Sequence, residues 1–415
     1  MNSAGEPAPV DLARSVARHS LGWLVAANLV GLWLAVVLLW PAAGDALAPL
    51  TYGRWVPLHL DWQLYGWMSL PAVGALLAWF AGDQRIRGAQ TALRLWSLTL
   101  VLGGASWLAG ETSGKLFLDW TGWARPLLPV AMLALWGVLA LATNRRWPAL
   151  ATRERLARVA ALALLLPVPA ALFWSMGRDV YPAVNPDSGG ATGAALLGST
   201  LGIVTIFLLV PVLLRLPSAN AVRPRRSRGI VAALAVNWLV FAAIEHGNVS
   251  HHALAAIVSL GSLLAWIPLL ARHWRGYAWS DAARPWLRAA LVWWALLVAS
   301  GWASFLPRVS EALKFTHGFV AHAHLAMAGL VTSVNAMMLT TLVRRPAPRG
   351  VFATWQIGFA VFVAALLALG AVESEHEAEL FRSENWTQAL LALRLAAGIA
   401  MTAASIRWLL DFRQT

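Results

Sequence analysis

The chain has 415 residues, of which 59% are hydrophobic and only 12% are charged. This composition excludes an ordinary soluble protein and predicts an all-α polytopic membrane protein. Disulfides, iron–sulfur clusters, thiolate zinc sites and covalently attached c-type haem are excluded, because the chain has no cysteine. The net charge of +13 does not indicate a nucleic-acid partner, since the arginines lie in short loops between apolar runs.

Twelve apolar runs are long enough to span a bilayer. The lipid bilayer is therefore a predicted partner of the chain along its whole length. The runs lie near residues 19–41, 56–80, 91–111, 122–143, 155–176, 190–215, 228–246, 251–272, 285–305, 317–342, 351–372 and 386–410. No linker or soluble segment interrupts the series. Residues 1–415 are therefore predicted to form a single transmembrane domain.

The loops between the runs alternate in charge. Basic loops lie near residues 83–87, 145–158, 223–228, 272–284 and 344–349. The loops between them carry Glu111, Asp119, Asp187, Glu373, Glu375, Glu377 and Glu379. Because basic loops stay in the cytoplasm, the pattern predicts a multi-pass protein of a bacterial-type cytoplasmic (inner) membrane with both termini cytoplasmic. The 25 tryptophans are expected mostly to flank the spans as an interfacial belt.

The histidines are distributed unevenly across this predicted topology. Those that map to the outer third of the membrane are His59, His246, His251, His252, His317, His322 and His324. Scattered structural histidines have no reason to segregate in this way, whereas a haem or metal site in the outer leaflet requires it. Ionisable residues inside a membrane are costly and indicate function by default.

His322 and His324 begin the tenth span, only two residues apart. At about 100° per residue they point about 200° apart, to opposite flanks of one helix. One helix is therefore able to hold an iron on each flank. The alternative is a pair of histidines that are hydrogen-bonded to neighbouring helices.

Two motifs resemble those of a known superfamily. The segment Gly53-Arg-Trp-Val-Pro-Leu-His59 is similar to the Gly-Arg-x-x-Pro-x-His of haem–copper oxidase subunit I in the cbb3-type and nitric oxide reductase-like branch. The segment Phe315-Thr-His-Gly-Phe-Val-Ala-His-Ala-His324 resembles its tenth-helix signature. Twelve spans are also typical of that subunit.

The resemblance implies two b-type haems. His59 and His324 would be the axial ligands of a low-spin haem, and His322 would be the proximal ligand of a high-spin haem. Two histidines leave the iron no open position and suit electron transfer, whereas one histidine leaves a face for a small gas. Arg54 has two interpretations: an ion pair with a haem propionate, or an interfacial anchor.

The chain departs from the family at the second metal. Oxygen reductases take one copper ligand from the sixth helix, but the predicted sixth span, 190–215, has no histidine. Three alternatives remain open for this site. Glu245, His246 and one of His251 or His252 bind a non-haem iron; or His246, His251 and His252 bind copper; or the site is empty. In the first case Glu245 and His246 are the candidate catalytic residues.

The function implied is that of a haem-b-containing membrane oxidoreductase subunit of the respiratory chain. It would pass electrons from an outer-face donor, such as a cytochrome c or a quinol, to oxygen or nitric oxide, together with additional subunits. A second hypothesis is a haem-binding electron-transfer, sensing or assembly subunit that has lost the catalytic second metal. A third is a transporter, which inverted repeats or broken helices would support.

Overall fold

The computed structural model describes residues 8–82, 85–180, 196–219, 224–244, 253–313, 316–375 and 384–412. These residues form helices and loops, and they contain no β-strand. The chain divides into two compact units. One comprises Met1–Ala183 with Ser405–Thr415, and the other comprises Val184–Ala404.

Among its described residues, the first unit contains eight complete α-helices and the end of the chain's last helix, from Ser405 onward. The helices are α1 (Ala8–Leu39), α2 (Ala42–Asp45), α3 (Tyr52–Asp61), α4 (Ser69–Ala81), α5 (Ala89–Leu108), α6 (Leu127–Arg146), α7 (Thr152–Leu165) and α8 (Val168–Ser175). A π-helical segment, Trp62–Met68, joins α3 to α4, so that the second span is continuous.

The second unit is built in the same way from helices that follow one another along the chain. They are α9 (Leu196–Leu213), α10 (Pro224–Ile244), α11 (Leu254–Gly261), α12 (Trp266–Arg275), α13 (Arg284–Ala303), α14 (Pro307–Leu313), α15 (His317–His324), α16 (Thr332–Val343), α17 (Val351–Glu373) and α18 (Asn385–Asp411). A second π-helical segment, Leu325–Val331, joins α15 to α16. The last residues of α18, from Ser405 onward, belong to the first unit.

Nine helical segments of the described chain are long and apolar enough to cross a membrane. The predicted runs near 91–111, 190–215 and 228–246 correspond to α5, α9 and α10, which are shorter or less apolar than the nine. The prediction of an all-α polytopic membrane protein is confirmed.

Many tryptophans lie inside the units, packed against other parts of the chain. The side chains of Trp67, Trp107, Trp120, Trp266, Trp274 and Trp294 are fully buried. The indoles of Trp107 and Trp294 donate to the backbone carbonyls of Asp119 (2.5 Å) and Trp266 (3.0 Å), and the indole of Trp266 donates to the side-chain oxygen of Asn237. The interfacial belt stays a prediction for these residues. Without water in the hydrocarbon region, a buried indole N–H needs a protein acceptor, and a backbone carbonyl is one such acceptor.

The tenth and eleventh spans make a backbone-to-backbone contact at two glycines. A Cβ atom added to Gly370 of α17 would lie 2.5 Å from the Cα of Gly318 in α15 and would also overlap the Gly318 nitrogen. Close helix approach through small residues is how membrane helices gain packing contacts where lipid removes the hydrophobic driving force. This contact lies one turn before His322 and fixes the start of the helix that carries it.

We expect Gly370→Ala to lower the thermal unfolding midpoint of the detergent-solubilised protein, because the added methyl must push two helix backbones apart. Overpacking of this kind costs about 1–3 kcal/mol. Gly202→Ala in α9 is the matched control, since a Cβ there meets nothing within 4 Å. Tryptophan fluorescence during heating measures both variants, and equal midpoints for the two would contradict the close contact.

Candidate functional site

His59 is held by the first helix of its unit. Its Nδ1 lies 2.9 Å from the carbonyl oxygen of Ala27 in α1. A carbonyl oxygen only accepts hydrogen bonds, so Nδ1 carries the proton and Nε2 carries the lone pair of the neutral ring. This arrangement orients the ring and sets the tautomer, as is usual for histidines that ligate a metal through Nε2.

The imidazole of His59 occupies space that a side chain on α1 would otherwise fill. A Cβ added to Gly31 would lie 2.6 Å from Cε1 and 2.9 Å from Nδ1 of His59. Ala27 and Gly31 are one helical turn apart, so the carbonyl acceptor and the gap lie on the same face of α1. The ring is thus hydrogen-bonded and closely packed at once.

His324 is oriented by its own helix. Its Nδ1 lies 2.8 Å from the carbonyl oxygen of Val320, one turn earlier, which again leaves the lone pair on Nε2. The ring lies 4.9 Å from the ring of Phe362 in α17. The guanidinium of Arg394 in α18 lies 5.3 Å from the same Phe362 ring, and the Arg394 side chain is buried. Sequence reasoning missed this intramembrane cation, although a lone arginine inside a span is itself a signal.

His322 faces a different helix. Its Nδ1 lies 3.2 Å from Oγ of Ser300 in α13. The Ser300 hydroxyl also lies 3.3 Å from the carbonyl oxygen of Leu297, and when it donates there its oxygen accepts from Nδ1 of His322. A Cβ on the neighbouring Gly301 would lie 3.1 Å from Cε1 of His322. The contacts of His322 with α13 and of His324 with α17 put the two rings on different flanks, as the two-residue spacing predicts.

Each histidine motif is followed directly by a π-helical segment. Trp62–Met68 begins three residues after His59, and Leu325–Val331 begins immediately after His324. The widened turns release carbonyls from the regular ladder, and the hydroxyls of Ser69 and Thr332 bind the carbonyls five residues earlier. Pro71 adds to the first distortion, because it lacks an N–H and its ring clashes with the carbonyl four residues before it. Such π segments occur frequently at functional sites.

The start of the tenth span is fixed from the eleventh. Oε2 of Glu373, the last residue of α17, accepts hydrogen bonds from the backbone N–H of His317 (2.7 Å) and from its Nδ1 (2.9 Å). The Thr316 hydroxyl accepts from the N–H of Gly318, as an N-cap residue does. A carboxylate at a helix N-terminus also interacts favourably with the helix dipole. His317 therefore positions the helix that carries His322 and His324.

A buried carboxyl group lies beside the His59 motif. Asp61 is fully buried, and neither of its carboxylate oxygens has a hydrogen bond of normal geometry to the described residues. Its polar neighbours include the Asp119 carboxylate and the Trp120 indole. In the loop that follows α5, burial raises the pKa of Asp119 above its usual value, while hydrogen bonds from Ser113 oppose that rise.

Arg54 binds the end of α5. Its Nη1 donates to the carbonyl of Leu108 at 2.9 Å. No carboxylate among the described residues forms an ion pair with Arg54, so the contact with a neutral carbonyl leaves its charge uncompensated. Either interpretation of Arg54, as an anchor or as a partner for an anionic group, is compatible with this position.

The residues predicted for the second metal, Glu245, His246, His251 and His252, lie outside the described residues. Within the described ranges, no three His, Asp or Glu side chains come together in a way that would hold a metal ion. The described sixth span, α9, contains no histidine, as its sequence requires.

Comparisons with known proteins identify the fold. No family model and no curated protein matches the chain. The chain is similar to one in the cryo-EM structure of a haem–copper terminal oxidase dimer, with a TM-score of 0.53. The match covers 99% of this chain and 85% of that chain at 14% sequence identity. At this identity the likeness shows the fold alone, and it confirms the predicted haem–copper oxidase-like arrangement of membrane helices.

We expect Glu373→Ala to lower the thermal unfolding midpoint, because the N–H and the ring of His317 lose their shared acceptor. Charge-assisted hydrogen bonds of this kind are worth about 1.5–3 kcal/mol each. Glu373→Gln keeps an acceptor oxygen and is expected to lie between the wild type and the alanine variant. The control is Glu375→Ala, whose side chain is exposed two residues later. A midpoint for Glu373→Ala as high as that of the control would rule out this cap.

Proposed function

We propose that the protein is a haem-bearing subunit of a respiratory membrane oxidoreductase. His59 and His324 would be the axial ligands of a low-spin haem b, and His322 would be the proximal ligand of a second, high-spin haem b. The observation that carries the proposal is shared by the three histidines. Nδ1 of each ring is hydrogen-bonded to a protein oxygen, from Ala27, Val320 or Ser300, and for His59 and His324 the carbonyl partner places the lone pair on Nε2.

The residues around the three imidazole rings suit histidines that bind haem iron. Haem iron in proteins is commonly held by imidazole nitrogen, and partners of the other ring nitrogen fix the ligand's orientation and raise its basicity. Gly31 and Gly301 lie against the His59 and His322 rings, where any larger side chain would displace the imidazole. The fold shared with a haem–copper terminal oxidase further supports the proposal.

The proposed division of labour follows from the ligand number. When bound, a bis-histidine haem passes electrons, and a haem with one histidine has a position for a small gas. The chain's own residues orient the rings and separate the two flanks of the tenth span. Arg54, which donates to a carbonyl and forms no ion pair with a described carboxylate, would supply a cation for a haem propionate.

The wider assignment rests on the motifs and on the neighbour. We infer an outer-face electron donor such as a cytochrome c or a quinol, further subunits, and a cytoplasmic-membrane location with both termini inside. Oxygen is the acceptor that a terminal oxidase-like fold favours. The similarity of the motifs to the cbb3-type and nitric oxide reductase-like branch keeps nitric oxide as the other acceptor.

A second candidate function has a specific observation in its favour. The sixth span, from which oxidases take a copper ligand, has no histidine. If the missing histidine means that no second metal is bound, the protein is a haem-binding electron-transfer, sensing or assembly subunit. If a second metal is present, Glu245, His246, His251 and His252 are the residues that we propose as its ligands, with Glu245 and His246 as the catalytic pair.

Substitution of the two tenth-span histidines tests the proposal. His324→Ala is expected to remove the sharp low-spin bands of the reduced protein and to leave carbon monoxide binding. His322→Ala is expected to keep the low-spin bands and to abolish carbon monoxide binding. Absorption spectra of the reduced protein with and without carbon monoxide measure both effects.

The matched control is His19→Ala, which removes another membrane histidine whose Nδ1 is hydrogen-bonded, here to Oγ of Ser97 (2.7 Å). Both spectral features should survive in this variant. If His322→Ala and His324→Ala cause the same graded loss, the assignment to two separate haems is wrong. If the reduced wild type binds no carbon monoxide but keeps low-spin bands, the electron-transfer function replaces the reductase.

A further inference from the structure

A cleft rich in arginine lies at the end of α4 and α6 that the charge pattern predicts to face the cytoplasm. It is bounded by Phe80 and Ala81 at the end of α4 and by four arginines, Arg85, Arg87, Arg145 and Arg146. The proposed haem ligands play no part in it. All of these residues belong to the first unit.

Two guanidinium groups bind the last carbonyls of α4. Arg146 donates to the carbonyls of Phe80 (3.2 Å) and Ala81 (2.8 Å), and Arg158 donates to the carbonyl of Phe80 at 2.9 Å. These bonds satisfy the end of the helix, whose dipole favours cations. Because carbonyls are neutral, these bonds leave the positive charge of Arg146 in place.

The other arginines of the cleft are poorly neutralised. Arg85 has one ion pair, with Asp11 at 3.7 Å, in which both side chains are more than half exposed (69% and 52%). Exposed pairs of this kind contribute little. Arg87 and Arg145 are exposed and form no ion pair with any carboxylate among the described residues. Among the described residues, the arginines of the cleft therefore outnumber the carboxylates that pair with them.

An apolar surface leads from the membrane to this cleft. On α6, Val130, Leu133 and Leu141 are exposed by 53%, 45% and 55%. Val130 and Leu141 are eleven residues apart, about three helical turns, and therefore share one face. Arg145 follows Leu141 by one turn on that same face. A molecule with a long apolar part along α6 and an anionic head would meet both surfaces at once.

We infer that this cleft binds the phosphate headgroup of an anionic phospholipid, with the acyl chains lying along the exposed face of α6. Planar guanidinium groups bind phosphate oxygens through paired hydrogen bonds, which suits them to this ligand. Basic pockets between membrane helices on the cytoplasmic side are a known form of lipid recognition. Free phosphate has no apolar part to contact the exposed face of α6, so this face favours a lipid as the ligand.

Native mass spectrometry of the full-length protein in detergent tests the inference. The wild type should retain an added phosphatidylglycerol or cardiolipin in preference to phosphatidylcholine. At about 1 kcal/mol per arginine, the Arg87→Gln, Arg145→Gln double variant should bind the anionic lipid about 30-fold more weakly. The control is the Arg272→Gln, Arg275→Gln double variant, which removes two exposed arginines from the last turn of α12 and should bind like the wild type.

Three results would overturn the inference. One is equal retention of zwitterionic and anionic lipid by the wild type, a result that needs no variant to fold. Another is an equal loss of lipid in both double variants, which would indicate general surface charge. The third is full displacement of the lipid by millimolar inorganic phosphate, which would assign the cleft to a free anion.

Discussion

The structure depends on how an apolar helix bundle satisfies the polar nitrogens of its imidazole rings. In the hydrocarbon region no water replaces a missing hydrogen bond, and each unsatisfied group costs several kcal/mol. His59, His322 and His324 meet this requirement through Nδ1, which bonds to Ala27, Ser300 and Val320 respectively. For His59 and His324 the carbonyl acceptor also fixes the tautomer, which places the imidazole lone pair on Nε2.

Similar bonds to backbone carbonyls occur throughout both units. Indoles donate from Trp96 to Tyr65 and from Trp294 to Trp266, and the guanidinium of Arg158 donates to Phe80. In lipid, helix association relies on close packing and on hydrogen bonds between helices, because the hydrophobic effect no longer separates buried from exposed apolar surface. The contact of Gly318 with Gly370 and the cap supplied by Glu373 illustrate both contributions beside the histidine pair.

Hydropathy and charge predicted the helical membrane fold, because both properties follow directly from the residue types in the sequence. The opposite flanks of His322 and His324 followed from helical periodicity alone. The acceptors of these rings were not predictable, since a backbone carbonyl such as that of Ala27 has no residue signature. The acceptors of the buried indoles were not predictable for a related reason: an indole that faces lipid and one that donates to a neighbouring helix have the same local sequence. The π segments after both motifs likewise depend on bonds from Ser69 and Thr332 that no hydropathy pattern contains.

The central claim is that these three histidines hold two haems in one chain. The haem content of the purified full-length protein, from its pyridine haemochrome spectrum together with iron and copper analysis, tests this claim most directly. The account predicts two b-type haems per chain. A further iron or copper would indicate a reductase, and haem alone would indicate an electron carrier. A helical, monodisperse protein that is purified under haem-replete conditions without any haem would contradict the account.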